Sequence, residues 1–313
     1  MLLVPDLFPS LVEQGLRDAT GVADIAVARR HEAKKSGVQL VWYPWNGMTW
    51  TTTLPSVVTV HDLWPFASPA TEERKRSREQ SHYLRAVESA TRFIAVSQFT
   101  AREMVERLQI DRARIDVIPN GVARLTPGDV APARLPGGAR YVLFVGETEA
   151  RKDVATLAGA SALLPESLRS SIVFVVAGKK QHAMAGLLAT LGVRFDVVGE
   201  VSDERLASLY AGASAFVFPS RYEGFGLPVL EAMSYGVPVI ASDAAAVREA
   251  AGDAGLIFPA GDAAALASAL ERALTDGDLS RRLSEAGRAR AAAMTVDLCA
   301  ERTLEAFGRA LAA

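Results

Sequence analysis

The chain has 313 residues, half of them hydrophobic and 22% charged, which is enough for two globular domains with their own cores. A formal net charge of −2 gives no general attraction to nucleic acid or to an anionic membrane. The single cysteine, Cys299, excludes an internal disulfide, and the four histidines, at 31, 61, 82 and 182, lack metal-binding spacing. We therefore expect neither a bound metal nor a nucleic acid partner.

The first segment, "MLLVPDLFPSLVEQG", is apolar but has no positively charged start, and no stretch reaches the roughly 18 apolar residues of a membrane span. The run "TEERKRSREQSHYLR" (71–85) is rich in arginine and could contact anionic lipid. Its glutamates favour a solvated helix face instead. The sequence predicts a cytoplasmic protein with at most a weak peripheral contact with the inner face of the membrane.

Ten short apolar runs alternate with helical patterns: 38–43, 57–60, 92–96, 115–118, 141–145, 171–176, 195–198, 215–218, 238–241 and 255–258. Because these runs are apolar throughout, they are typical of strands buried on both faces of a parallel sheet. Ser97 is suited to cap the helix predicted for "SQFTAREMVERL". The alternation predicts an α/β protein with doubly wound parallel sheets.

The stretch "LTPGDVAPARLPGG" (125–138) is rich in proline and glycine and has no periodicity, as an interdomain linker would. It separates a predicted N-terminal domain, 1–124, from a C-terminal domain, 139–296. In the final segment, about 297–313, Leu304, Phe307 and Leu311 share one helical face. We expect this helix to dock back on the N-terminal domain.

The strongest functional signal is "YEGFGLPVLEAMSYGVPVIAS" (222–242), which follows a predicted strand and opens a helix. Ligands of open α/β sheets bind at the carboxyl ends of strands, and a helix N-terminus there suits a phosphate. Glycines at 224 and 226 let the backbone approach such a ligand. Glu223 and Glu231 would repel phosphate but can accept hydrogen bonds from sugar hydroxyls. The pattern predicts a site for a nucleotide-sugar.

A counter-charge for the diphosphate follows another strand. The run 141–145 ends at Gly146, and Arg151 and Lys152 come just before the next helix. A guanidinium can bind two phosphate oxygens, and an ammonium adds a point charge. Together the two cations could neutralise a leaving diphosphate without a metal.

These motifs resemble retaining glycosyltransferase family 4, of GT-B fold, whose E-x7-E signature matches "EGFGLPVLEAMSYGVPVIAS". Further segments resemble the family in order: "VTVHDLWPFASP", "FIAVSQFTAREM", "IDVIPNGV", "VGETEARKDVATL" and "VVGEVSDERLASLYAGASAFVFPS". The segment with Arg151 and Lys152 is similar to that of a branch with many mannosyltransferases. The resemblance implies two Rossmann-like domains that face a central cleft.

The resemblance also implies roles for individual residues. Glu231 would hold the nucleotide ribose and Glu223 the transferred sugar, while Arg151 and Lys152 would bind the diphosphate. His61 would lie near the transferred sugar in the N-terminal domain. The donor would also contact the strand end and the turn before the helix, namely Gly146, Gly224, Phe225, Gly226 and Leu227.

The activity implied is metal-independent, retaining transfer of a hexose, with mannose from GDP-mannose as the first candidate, to a glycan or lipid-linked acceptor. The nucleotide-sugar is a co-substrate, and no cofactor is implied. Front-face transfer would let the departing phosphate oxygen help to deprotonate the acceptor hydroxyl.

Two features depart from the family pattern. Glu147 stands where many members have arginine, so Arg151 and Lys152 would bind the diphosphate alone. The start of the chain, "MLLVPDLFPS", makes a poor strand and loop, which predicts an N-terminal domain without its first strand–loop–helix unit. The alternative function is therefore a nucleotide-sugar-binding protein that is inactive or completed by another chain.

Three other interpretations stay open at this stage. A glycosidase would need two carboxyl groups about 5–9.5 Å apart across a sugar cleft, which the neighbouring Arg151 and Lys152 disfavour. NAD chemistry is weaker, since "GFGLPV" lacks the third glycine of the dinucleotide fingerprint. The aromatic side chains of Trp42, Tyr43, Trp45 and Trp50 suit either a core or a surface that stacks on sugars.

Overall fold

The computed structural model describes residues 37–68, 73–122, 130–147, 149–179 and 194–313, and the backbone of two short strands. These are β1 (Leu2–Val4) and β2 (Val27–Arg29), which pair in parallel. The expectation that the first ten residues hold no proper strand is therefore wrong for residues 2–4. The other residues up to 36, on which the predicted loss of the first unit depends, lie outside the described residues.

The N-terminal domain contains a four-stranded parallel sheet in the order β3-β4-β5-β6. The strands are β3 (Val41–Tyr43), β4 (Ser56–Val60), β5 (Arg92–Ala95) and β6 (Ile115–Val117). The helices are α1 (Trp64–Ala67), α2 (Glu73–Ser89) and α3 (Gln98–Leu108), with a 3-10 turn at Arg112–Arg114. Ser97 caps α3 as predicted, because its hydroxyl accepts a hydrogen bond from the Thr100 N–H.

The C-terminal domain contains a six-stranded parallel sheet. Its strands are β7 (Arg140–Val145), β8 (Ile172–Ala177), β9 (Phe195–Gly199), β10 (Ala215–Phe218), β11 (Val239–Ser242) and β12 (Gly255–Phe258). Its helices are α4 (Val154–Leu163), α5 (Glu166–Ser171), α6 (Asp203–Gly212), α7 (Leu227–Ser234), α8 (Ala245–Ala251), α9 (Ala263–Thr275) and α10 (Gly277–Ala292). Short 3-10 turns lie at Pro136–Gly138, Ala150–Lys152 and Gly252–Ala254.

The strand order of this sheet, β12-β11-β10-β7-β8-β9, is that of a doubly wound fold. Buried apolar side chains form a separate core on each face of the sheet, so its central strands are buried on both sides. The chain reverses direction across the sheet between β7 and β10. The predicted α/β class and all ten predicted strands are confirmed, and the reversal opens a crevice at the carboxyl ends of β7 and β10.

The last helix, α11 (Val296–Leu311), packs against the sheet of the N-terminal domain. Ala306 and Ala310 are buried there in one cluster with strand side chains, and Phe307 packs at its edge. The predicted contact face is wrong in detail, since Leu304 and Leu311 are 66% and 49% exposed. Two alanines make the contact because their small side chains let the helix approach the sheet closely.

The second half of the predicted linker packs on the C-terminal domain. Ala133 is buried, and its N–H donates a hydrogen bond to the Ser208 carbonyl at 2.9 Å. Residues 123–129 lie outside the described residues, so the boundaries predicted at 124 and 139 stay predictions. Within the described ranges, no helix combines the length and the apolar character that crossing a membrane requires.

Candidate active site

The crevice between β7 and β10 brings together three of the side chains singled out from the sequence. β7 leads through Gly146 into the 3-10 turn Ala150–Lys152, and β10 leads into the loop that carries Glu223. Since β7 and β10 are neighbours in the sheet, their carboxyl ends lie side by side. Arg151 and Lys152 therefore contact Glu223 although about seventy residues separate them in the chain.

Glu223 is held by both cations. Its Oε1 accepts a hydrogen bond from Lys152 Nζ at 2.6 Å, and its Oε2 accepts one from Arg151 Nη1 at 3.2 Å. Glu223 and Lys152 are only 8% and 9% exposed, so this pair is buried and geometrically fixed. A carboxylate has about four lone-pair positions. Two remain for hydroxyl groups of a ligand, which is compatible with the predicted contact with a sugar.

Arg151 lies among several acidic groups. Its Nε donates to Glu149 Oε2 at 2.6 Å, in addition to the bond with Glu223. Burial opposes its charge, but the carboxylates of Glu223, Glu149 and Asp62 more than compensate and raise the pKa of Arg151. Burial also raises the pKa of Asp62, against the hydrogen bond from the Trp64 N–H and the charge of Arg151. The cations are thus fully charged, and their neighbours partly offset that charge.

The turn 224–227 brings free backbone donors to the same crevice. Gly226 adopts φ 108°, a left-handed conformation that favours glycine, and is the N-cap of α7. Pro228 lies in the first turn of α7, as predicted. Phe225 is buried in the core, so only its backbone can face a ligand, while Leu227 opens the helix. The first N–H groups of α7 have no partner within the helix and can bind an anion.

Glu231 lies further along α7 and makes a separate contact. The Tyr210 hydroxyl donates a hydrogen bond to Glu231 Oε2 at 2.9 Å. Burial raises the pKa of Glu231, although the bond from Tyr210 favours its charged form. The structure therefore holds Glu231 in one orientation, and it does not bring Glu231 into the hydrogen-bonded group around Glu223.

His61 follows β4 and brings the N-terminal domain to the crevice. Its carbonyl carbon and oxygen lie directly against Gly224. Its ring contacts the Pro44 carbonyl through Nε2 at 2.9 Å and packs against Trp45, with ring centroids 4.5 Å apart. Trp45 is 71% exposed, whereas Tyr43 is buried. The cluster of aromatic residues therefore serves both as core and as exposed surface.

A cavity of about 550 Å³ adjoins His61 on its other side. The first sheet and α11 line it, mainly with apolar side chains that include Trp42, Ile94, Val296 and Phe307. Its wall includes His61 and Asn120, which are polar. An apolar group bound in this cavity would lie next to the crevice of the C-terminal domain.

Sequence reasoning missed two residues at this junction, Tyr222 and Glu103. Tyr222 donates a hydrogen bond across the domains to Glu103, and Glu103 is only 5% exposed. A buried acidic side chain on an amphipathic helix was the available signal, because a buried charge needs a partner. Among the residues that the structure describes, no three His, Cys, Asp or Glu side chains gather as metal ligands would.

Two family models match the chain in consecutive regions. Residues 129–290 match the model described as glycosyl transferases group 1, and residues 17–124 match the model described as glycosyltransferase family 4. The first match covers more than half of the chain and includes Arg151, Lys152, Glu223 and Glu231. The chain belongs to glycosyltransferase family 4. The two α/β domains of this glycosyltransferase accordingly form a GT-B fold.

Characterised members of the family are similar over most of this glycosyltransferase. The O-antigen chain mannosyltransferase B of Escherichia coli is 32% identical, over 80% of this chain and 70% of that protein. The D-inositol 3-phosphate glycosyltransferase of Nocardia farcinica (strain IFM 10152) is 33% identical, over 82% of this chain and 62% of that protein. This chain thus spans about two thirds of their lengths. Among solved structures, sucrose-phosphate synthase from Thermosynechococcus elongatus superposes with a TM-score of 0.73 at 26% identity, over 90% of this chain and 76% of that one.

Proposed function

We propose that this glycosyltransferase moves a hexose from a nucleoside-diphosphate sugar to an acceptor hydroxyl with retention of anomeric configuration. One observation supports this most directly: Glu223, Arg151 and Lys152 meet at the carboxyl ends of β7 and β10, beside the N-terminus of α7. The backbone donors and the two cations suit a diphosphate. The free lone pairs of Glu223 suit the hydroxyls of the adjoining sugar.

The cations would act mainly on the leaving group. As the glycosidic bond breaks, negative charge grows on the departing phosphate oxygen, and a nearby positive charge then stabilises the transition state more than the ground state. Arg151 and Lys152 need no rearrangement of the fold to serve in this way, because their pairing with Glu223 already holds them at the crevice. The same phosphate oxygen would take the proton of the acceptor hydroxyl.

Mannose, carried by GDP, is the donor we propose. The segment with Arg151 and Lys152 is similar to that of mannosyltransferases, and one relative is named a mannosyltransferase. For the acceptor we propose a lipid-linked sugar. The cavity beside His61 is lined mainly by apolar side chains and would take the apolar part of such an acceptor, with its sugar directed at the crevice.

A ligand panel followed by a transfer assay tests the proposal. Calorimetry with GDP, UDP and ADP should give the tightest binding for GDP. Incubation with GDP-mannose and an acceptor, either a free mannoside or the same mannoside on a lipid, should consume donor faster with the lipid-linked form. Binding of GDP without any transfer would instead support the alternative of an inactive or partner-completed protein. Failure to bind any nucleotide would contradict both.

Glu231→Gln should weaken GDP binding about 10- to 100-fold, the loss typical of a hydrogen bond to a charged group. The amide oxygen can still accept the bond from Tyr210, so the fold should be kept. Calorimetry at about pH 7.5 measures the effect. Because burial raises the pKa of Glu231, GDP binding by the unaltered protein should also weaken as the pH falls towards that pKa.

The stability of this variant gives a second readout. A raised pKa means that the folded state disfavours the ionised carboxylate, a cost absent below the pKa in the unfolded chain and complete above the pKa in the folded protein. The melting temperature of Glu231→Gln should therefore equal that of the unaltered protein near pH 4 and exceed it near pH 8. Unchanged GDP affinity would contradict the contact with the ribose.

A further inference from the structure

Tyr222 extends from the C-terminal domain into the N-terminal domain. Its hydroxyl donates a hydrogen bond to Glu103 Oε2 on α3 and accepts one from the Leu63 N–H at 3.0 Å. Its ring packs against Trp64 and Phe99 at centroid distances of 5.2 and 5.7 Å. Both hydrogen-bonding capacities of the phenol are thus used, and both partners belong to the other domain.

The partners of Tyr222 are themselves fixed. Glu103 is buried, and its Oε1 accepts a hydrogen bond from Arg107 Nε at 2.6 Å. Leu63 is fully buried. Without the Tyr222 hydroxyl, the Leu63 N–H and one carboxylate oxygen of Glu103 would each lose a partner away from water, which is costly. The contact is therefore specific to a phenol at position 222.

Three consecutive residues are anchored alternately to the two domains. Tyr222 and Gly224 are anchored to the N-terminal domain, since the hydroxyls of Ser97 and Thr100 donate to the Gly224 carbonyl at 2.6 and 3.0 Å. Glu223, between them, is anchored to Arg151 and Lys152 of its own domain. The position of Glu223 thus depends on how the two domains meet.

We propose that Tyr222 is a positioning residue, whose contacts with Glu103 and Leu63 hold the two domains together so that Glu223 faces the transferred sugar. The inference rests on the proposed function for its effect on turnover. The domain contact itself is independent of that function. Tyr222 acts through Glu223 and through the position of the neighbouring domain, not through a contact with the phosphates.

Tyr222→Phe in the full chain tests the proposal, because it keeps the ring and removes only the hydroxyl. The turnover number should fall about 10- to 100-fold, while the affinity for GDP stays within about twofold, since the nucleotide would bind to the other domain. Hydrogen exchange should become about tenfold faster at the Leu63 amide. Tyr141→Phe is the matched control. Its hydroxyl is also buried but donates to the Leu209 carbonyl within one domain, so this variant should change neither quantity.

Variants of Glu103 give an independent check. Glu103→Gln keeps an acceptor for the phenol and should lose less turnover than Tyr222→Phe. The double variant should be no slower than Tyr222→Phe alone, because the two residues act through one contact. Losses that multiply in the double variant, or normal turnover with normal exchange at Leu63 in Tyr222→Phe, would overturn the proposal.

The exchange experiment also separates this proposal from the proposed function. If the unaltered protein transfers no sugar, the function fails, but faster exchange at Leu63 in Tyr222→Phe and not in Tyr141→Phe still supports the domain contact. If transfer proceeds normally and the exchange rates of both variants match those of the unaltered protein, the function stands and the role of Tyr222 is wrong.

Discussion

Lys152→Ala should lower the turnover number by about 10²–10³-fold, the loss typical of removing one group that stabilises charge in a transition state. The Lys152 ammonium lies 2.6 Å from Glu223 at the crevice where the diphosphate would leave. Arg151 would remain, so some transfer should persist. A steady-state assay with saturating donor measures the effect, because the charge on the leaving group is largest in the transition state.

Two controls separate this role from a loss of fold. Lys75→Ala removes a lysine that also pairs with a glutamate, but this lysine is 62% exposed on α2, and turnover should not change. Binding of ligands to Lys152→Ala should discriminate by phosphate: affinity for GDP should fall while affinity for guanosine stays the same. Equal losses for both ligands would indicate a disturbed pocket, and normal turnover would remove Lys152 from the mechanism.

The strands could be predicted from the sequence because each is a short apolar run buried on both faces of a sheet, as in β8 and β10. The face of α11 could not. Its leucines favoured one contact surface, but the helix docks through Ala306 and Ala310. Close packing of a helix on a sheet depends on the space between them, and hydrophobic periodicity does not specify that space.

The candidate site was predictable where its residues follow strand ends. The strand order was not needed to expect Gly146, Arg151 and Glu223 at one edge, because all parallel strands end there. The contacts between the domains were less accessible. No local pattern pairs Tyr222 with Glu103 or Glu249 with the N-terminus of α3, where its carboxylate accepts from the Gln98 and Phe99 N–H groups.

The close approach of the two backbones at Gly224 has no room for a side chain. A Cβ atom at Gly224 would lie 1.5 Å from the His61 carbonyl oxygen and 3.0 Å from the Asp62 Cβ. The His61 segment cannot easily retreat, because the Asn46 side chain accepts a hydrogen bond from the His61 N–H at 2.6 Å. The two domains can meet as they do only if residue 224 is glycine.

Gly224→Ala should therefore lower turnover by at least about 10²-fold, the cost typical of displacing reacting groups by 1 Å or more. The domains would have to move apart by about 2 Å to relieve the overlap with His61. The added methyl group affects the meeting of the domains more than the fold of either, so the melting temperature should fall far less than activity does. Gly308→Ala, in α11 with open space around it, is the control and should keep full activity with a slightly higher melting temperature. Turnover of Gly224→Ala within threefold of the unaltered protein, a margin of about 0.7 kcal/mol, would mean that sugar transfer does not require His61 and Gly224 to be in contact.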